Sequence, residues 1–250
     1  MTSTKPTVLF VHGSWHNPNH FRRVRDLFEA NDFPTSCPLH PSVGQLPPIG
    51  LMEDAQVIRD ELKKLVDTEQ KDVLVIAHSY GGVVATQAVD KEFAKKDREA
   101  RGLAGGVIHL VYMCAFLLAL GDSLRSALGG KFPPHIPVDE KGMCVMLEPA
   151  RRFYNDLSKE EQDHWVSELK PCPAVAQTTP ITQTAYLYHP VTYLFCENDQ
   201  ALPLAVQQSM VQKAEEKGVT IHKETCTAGH SPFLSQPEAV LNVAKKIVDA

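Results

Sequence analysis

The sequence predicts an α/β fold, with a mostly parallel central sheet, helices on both faces and a helical insertion. Three observations carry this expectation. Short apolar, β-branched runs alternate with stretches of helical periodicity up to about residue 117, the pattern of strands joined by helical crossovers. The same alternation resumes at about residue 189. Between them, residues 118–188 are rich in Pro and Gly and carry only short helical pieces, a break longer than a plain connection.

The elements follow in order. Val8-Leu9-Phe10-Val11 is a first strand ending at His12-Gly13, followed by a helix from about Asn19 to Ala30 and a strand over Thr35–Leu39. From Leu51 to Val66, residues Leu51, Ala55, Ile58, Leu62 and Leu65 recur at helical spacing. Val73–Ala77 is apolar at every position, as a strand covered on both faces must be. Gly81–Phe93 predicts a helix and Val107–Met113 another buried strand. Inside the insertion, Ser158-Lys159-Glu160-Glu161 fits a capping box opening a helix to Leu169. Late in the chain, Val191–Cys196 and Val219–Thr225 predict strands, and Ala205–Lys217 and Pro237–Val248 helices. The expected organisation is one core, residues 1–117 and 189–250, with a lid over 118–188. At 250 residues, one such domain is long enough to bury a full core.

Composition narrows the partners. Hydrophobic residues are 43% and charged residues 22%, with a formal charge of -5. That leaves no electrostatic footprint for nucleic acid or an anionic membrane. The longest apolar run, roughly Val107–Leu120, contains His109 and is too short to span a bilayer. The start, Met1-Thr2-Ser3-Thr4-Lys5-Pro6, has no signal-like apolar region. The six cysteines form neither a CxxC pair nor a Cys/His ligand spacing. The expectation is a cytoplasmic protein with reduced thiols, no metal and no cofactor, acting on a small molecule; a homodimer is one assembly compatible with this.

The chemistry is carried by Ala77-His78-Ser79-Tyr80-Gly81-Gly82, which follows a buried strand and opens a helix. A sharp turn there exposes a serine hydroxyl at the end of the sheet, and small residues on either side let strand and helix backbones approach. Ala77 takes the first small position where glycine is commoner. The turn also aims the Tyr80 amide, at a helix amino terminus, toward the place where an oxyanion develops.

A serine needs a base. In folds with this elbow the order along the chain is Ser, then an acid, then His. His230, in Gly229-His230-Ser231-Pro232 after the last strand, satisfies it better than His78, His189 or His222. The acid follows the preceding strand in Glu197-Asn198-Asp199-Gln200, with Asp199 preferred over Glu197 because it lies deeper in the loop. Its role is to fix the imidazole tautomer and stabilise the imidazolium. The first strand ends in His12-Gly13-Ser14-Trp15-His16, where the Ser14 amide is the first candidate for a second oxyanion donor and the Trp15 amide the next. His12 supports the loop. Trp15 and His16 either line a pocket or pack, and Phe153, Tyr154 and Trp165 are insertion aromatics that stand as pocket candidates beside them.

These motifs together resemble the α/β-hydrolase superfamily over essentially the whole chain. More narrowly, the chain is similar to the small cofactor-free group of methyl esterases and hydroxynitrile lyases and to related fungal and bacterial hydrolases. The segment Ala115–Leu124 resembles the entry to the lid in that group. The resemblance implies a helical lid over Ser79, Asp199 and His230, and a mostly apolar pocket. The leading expectation is a carboxylesterase-like serine hydrolase acting on a small to medium apolar ester through an acyl-enzyme. The same triad serves a lyase or retro-aldol reaction, lactone opening or C–C bond hydrolysis, and a non-catalytic receptor is a reading of another class.

Overall fold

The computed structural model describes residues 5–249, so the polar segment Met1–Thr4 lies outside the described residues. Strands β1 (Thr7–Val11), β2 (Thr35–Ser36), β3 (Asp72–His78) and β4 (Gly106–Met113) alternate with helices α1 (Arg22–Glu29), α2 (Leu51–Lys63), α3 (Gly81–Ala88) and α4 (Lys95–Ala100). Next come α5 (Leu124–Ala127), β5 (Met143–Cys144), α6 (Pro149–Phe153), α7 (Lys159–Glu168), β6 (Cys172–Pro173) and α8 (Ala174–Thr178). The alternation then returns with β7 (Val191–Cys196), α9 (Leu204–Glu215), β8 (Ile221–Cys226), α10 (Pro232–Ser235) and α11 (Pro237–Val248).

The main sheet has six strands in the order β2-β1-β3-β4-β7-β8, and every neighbouring pair is parallel. Alternation within each strand divides the core. Leu9, Val11, Val73, Val75 and Ala77 face one way, onto α2, α3 and α9. Val8, Phe10, Leu74 and Ile76 face the other, onto α1 and α11. This period of two explains why β1 and β3 are apolar at nearly every position: both faces are covered.

Strand order reverses between β1 and β3, since β2 lies outside one and β4 outside the other. The carboxyl ends of β1 and β3 therefore open a crevice, the usual ligand position in such sheets. Ser79 follows β3 directly and His12–Ser14 follow β1 directly.

Several boundaries differ from the sequence expectation. The first helix begins as a 3-10 turn over Pro18–Phe21, capped by the Asn17 side chain on the Asn19 amide. The second strand is only Thr35–Ser36, because Pro38 supplies no ladder donor. Helix α3 stops at Ala88, and a separate 3-10 turn covers Lys91–Phe93. The expected capping box is present at α7, where Ser158 Oγ accepts from the Glu161 amide. The β5–β6 ribbon, antiparallel with Cys144 opposite Cys172, carries no pattern visible in its two-residue strands. All six cysteines are free. Among the described residues, no helix is long and apolar enough to cross a membrane.

Candidate active site

Ser79 sits at φ +54°, a left-handed conformation that costs a non-glycine residue about 1–3 kcal/mol. Neighbouring elements hold it there. Its carbonyl accepts from Phe116 N at 3.1 Å and Gly82 N at 3.0 Å. A Cβ on Gly81 would fall inside contact distance of the Val11 carbonyl and 2.7 Å from the His12 carbonyl, and one on Gly82 would stand 2.5 Å from the Phe116 carbonyl. The Gly81-Gly82 pair thus lets α3 begin against β1 and against the exit of β4. Ala77 is buried among the α2–α3 packing, where its methyl is accommodated.

His230 lies between β8 and α10. Its Nδ1 donates to Asp199 Oδ2 at 2.7 Å, and both side chains are buried. Asp199 Oδ1 accepts from the Ala201 and Leu202 amides at 2.8 Å each. The carboxylate is therefore fixed by backbone before it fixes the imidazole. Glu197, the alternative acid, is exposed. With Nδ1–H committed to Asp199, Nε2 is left as the acceptor, the tautomer a general base needs. No direct hydrogen bond joins Ser79 Oγ to His230 among the described residues; the two side chains line the same cavity. Such bonds commonly tighten only when ligand is bound.

The backbone of His230 is held by a residue that the sequence offers only as a rival base. His78 Nε2 donates to the His230 carbonyl at 2.8 Å, and Cys114 Sγ contributes a longer contact at 3.4 Å. The Phe153 ring stacks on His230 with centroids 5.4 Å apart. Gly229 lets the Asn155 and Asp156 side chains close over the loop, since a Cβ there would displace both oxygen-bearing ends, and its amide donates to Asp156 Oδ2 at 2.7 Å.

On the opposite side, neither the Ser14 nor the Tyr80 amide meets a protein acceptor among the described residues. The Trp15 amide does, donating to Cys172 Sγ at 3.2 Å, which removes it as a competing oxyanion donor. Trp15 itself is at φ +66° and is clipped to the insertion by its indole N–H on the Cys144 carbonyl at 2.9 Å and by Lys170 N on its own carbonyl at 3.0 Å. Tyr80 is anchored through its hydroxyl, which donates to Asp54 Oδ2 at 2.9 Å. Asp54 also accepts from Ser42 N at 2.8 Å and Ser42 Oγ at 2.7 Å. Burial raises the Asp54 carboxyl to about 6 despite these bonds.

A cavity of about 40 Å³ brings together Ser14, Trp15, Ser79, Phe153 and His230, and the insertion closes it with Leu124, Ile136 and Met146. His16, Tyr154 and Trp165 do not line it. His16 Nδ1 donates to the Ser14 carbonyl at 2.9 Å, and its Nε2 accepts from the Tyr154 hydroxyl at 3.1 Å. Trp165 packs on the His20 ring with centroids 5.2 Å apart. His16 and Tyr154 pack against Phe153, which does line the cavity, while Trp165 is a further layer out, reaching them through His20. Sequence reasoning misses Gln177 and Phe116 among the lining residues: Gln177 sits in no motif, and Phe116 lies in the Ala115–Leu124 segment without a residue pattern that assigns it to the pocket.

The surroundings keep imidazoles neutral. Desolvation lowers His12 and His20 to about 4, and His16, His40 and His78 well below the usual histidine range. His78, Cys114 and His230 have ligand-capable atoms within 4.8 Å of one another. Burial also pushes the Cys114 thiol up to about 12. His78, a neutral imidazole donating its Nε2–H, and Cys114, a neutral thiol, thus both aim donors at the His230 carbonyl, which does not suit a cation.

Residues 8–243 match the model of the alpha/beta hydrolase family. The chain is 30% identical over 246 residues to the alpha/beta hydrolase nvfD of Aspergillus novofumigatus, covering 96% of each chain. It is 30% identical over 171 residues to a carbendazim hydrolyzing esterase of a Nocardioides species, covering 64% of this chain and 65% of that one. Among solved structures, a pyrethroid hydrolase superposes with TM-score 0.76 at 21% identity, covering 99% of this chain and 98% of that one.

Proposed function

Because the chain belongs to the alpha/beta hydrolase family and is an enzyme of that family, we propose that it hydrolyses a small carboxylic ester through an acyl-enzyme on Ser79. The observation that carries this reading is the Asp199–His230 pair at 2.7 Å, opening with Ser79 onto one cavity flanked by two uncommitted amides. His230 Nε2 takes the Ser79 proton as Oγ attacks the ester carbonyl. The Ser14 and Tyr80 amides receive the developing oxyanion, each worth on the order of 3 kcal/mol. His230 then gives the proton to the leaving alcohol. Water, deprotonated by the same nitrogen, attacks the acyl-enzyme and frees the acid and Ser79. The esterase named among the relatives supports the reaction type. The residues lining the cavity include no lysine, the cation with which a lyase of the resembling group assists its leaving anion.

Residues 118–188 act in this reading as a lid. A volume of about 40 Å³ holds a water or two, not an ester, so the wall made by Leu124, Ile136 and Met146 moves to admit substrate. The test is a serine-directed fluorophosphonate probe with peptide mapping, beside turnover of short 4-nitrophenyl esters. The expected outcome is a label on Ser79 and turnover that falls at least about a thousandfold in Ser79→Ala. Turnover that survives Ser79→Ala, or a label elsewhere, overturns the proposal.

A further inference from the structure

One buried polar atom of a residue lining the same cavity as Ser79 has no partner. Gln177, on α8, lines the cavity and is 1% exposed. Its Nε2 donates to Ser14 Oγ at 3.3 Å, while its Oε1 has no hydrogen bond at all. An orphaned acceptor in an apolar wall is costly to keep unless something supplies a donor. The carboxamide is not adjustable at random. Its backbone is in α8, and one end is tied to Ser14, whose neighbour Gly13 presses on Ser79: a Cβ at Gly13 would lie 3.0 Å from Ser79 Cβ. An ester carbonyl held by the Ser14 amide therefore sits beside the residue to which Gln177 is hydrogen-bonded, in a cavity that Gln177 also lines.

We infer that Gln177 is a specificity-determining residue that accepts a hydrogen bond from an O–H on the acyl group of the substrate, so that the preferred acids carry a hydroxyl next to the ester carbonyl. This rests on the ester-hydrolase reading and sharpens its substrate class. Most of the remaining wall, including Leu124, Leu128, Ile136, Met146 and Leu202, offers no side-chain hydrogen bond; beyond Ser14, Trp15, Ser79 and His230, the other polar side chain of the lining is the half-buried His135, which Gln177 exceeds in burial. A site shaped to bond one hydroxyl discriminates against the analogue without it, because the acceptor is then buried alone.

The test compares 4-nitrophenyl 2-hydroxypropanoate with 4-nitrophenyl 2-methylpropanoate, a pair in which methyl replaces hydroxyl, each rate divided by its spontaneous hydrolysis. In wild type the ratio of kcat/KM favours the hydroxy ester. In Gln177→Leu that preference, read as the ratio of the two kcat/KM values, falls roughly 10- to 100-fold. Gln177→Glu, which keeps acceptors and removes the donor amide, retains the preference. A ratio unchanged in Gln177→Leu overturns the inference, and so does a ratio lost in Gln177→Glu, since the amide N–H would then be the group that faces the ligand. If Gln177→Leu is insoluble, Gln177→Glu decides alone. Absence of a Ser79 label and of turnover on both esters in wild type is the separate failure of the hydrolase reading. Binding of methyl 2-hydroxypropanoate against methyl 2-methylpropanoate, read by thermal shift on the wild-type and Gln177→Leu proteins, then tests Gln177 by itself: a hydroxyl preference abolished by Gln177→Leu upholds its role, and equal binding overturns it.

Discussion

Ser79 holds its hydroxyl at the carboxyl edge of the sheet only because its backbone is forced to φ +54°, and the fold bears that strain without return in stability. Glycine adopts this conformation freely but has more freedom to lose on folding, about 0.5–1 kcal/mol. Relief of about 1–3 kcal/mol of strain exceeds that. Ser79→Gly is accordingly expected to stabilise the protein by about 1 kcal/mol, a rise in Tm of about 2–4 °C for a chain of this size, while eliminating labelling and turnover. Thermal unfolding followed by circular dichroism measures it, and a Tm lower than wild type refutes the strain argument. His78 belongs to the same scale. Its position beside Ser79 is plain in the sequence, but its service, donating to a carbonyl 152 positions away at 2.8 Å, is a product of tertiary structure alone.

At the level of elements, α3 is the piece on which the others converge. All eight of its residues are buried, so it has no polar face to compensate for a poor fit. Its first residue touches β1 and its second touches the exit of β4. Gly81→Ala places a methyl against two backbone carbonyls that cannot rotate away. It is expected to cost at least about 4 kcal/mol, in the range reserved for steric failure in a core, and to leave most of the protein insoluble; a soluble variant whose Tm falls by less than about 5 °C contradicts this close-packing account. The same contacts explain what is legible in the sequence. Glycines after a β-branched run announce a strand–turn–helix because chemistry leaves few other residues for that corner. Asp199 and His230 are readable because they follow β7 and β8, the first an apolar run interrupted only by Thr192 and the second bounded by the turn that carries His230. The insertion is not readable in the same way. The β5 strand is held by pairing with β6, and both are held by Trp15, through contacts from distant sequence that no local period encodes. His16, Tyr154 and Trp165 therefore look like pocket residues in the sequence although the first two bond to each other outside the lining and Trp165 packs on His20, and Gln177 gives no signal.

Across the whole molecule the unusual quantity is buried imidazole. His12, His16, His20, His40, His78, His109 and His189 are all buried, and desolvation lowers each of them, His12, His20 and His109 to about 4. In the unfolded chain they titrate near 6.5. Between those values the unfolded state binds more protons than the folded one, so stability is full above about pH 6.5 and is lost as pH falls toward 4. Each group contributes a slope of up to about 1.4 kcal/mol per pH unit. Asp54 works in the opposite sense: burial raises it from 3.8 to about 6, so its contribution favours the folded state at the acid end of nearly the same window. One carboxyl against seven imidazoles does not reverse the sign. The net slope approaches several kcal/mol per pH unit against a total stability of about 5–15 kcal/mol. The expected outcome is cooperative acid unfolding with a midpoint of about pH 5 and an uptake of several protons per molecule. Far-ultraviolet circular dichroism along a pH titration gives the midpoint, and calorimetry in buffers of different ionisation enthalpy gives the proton count. A Tm that is flat from about pH 7 to about pH 4 is incompatible with neutral, water-excluded histidines behind the active site. The same titration makes activity and fold fail together on the acid side, because three of the imidazoles that must charge, His12, His16 and His78, hold the Ser14 loop and the His230 carbonyl in place.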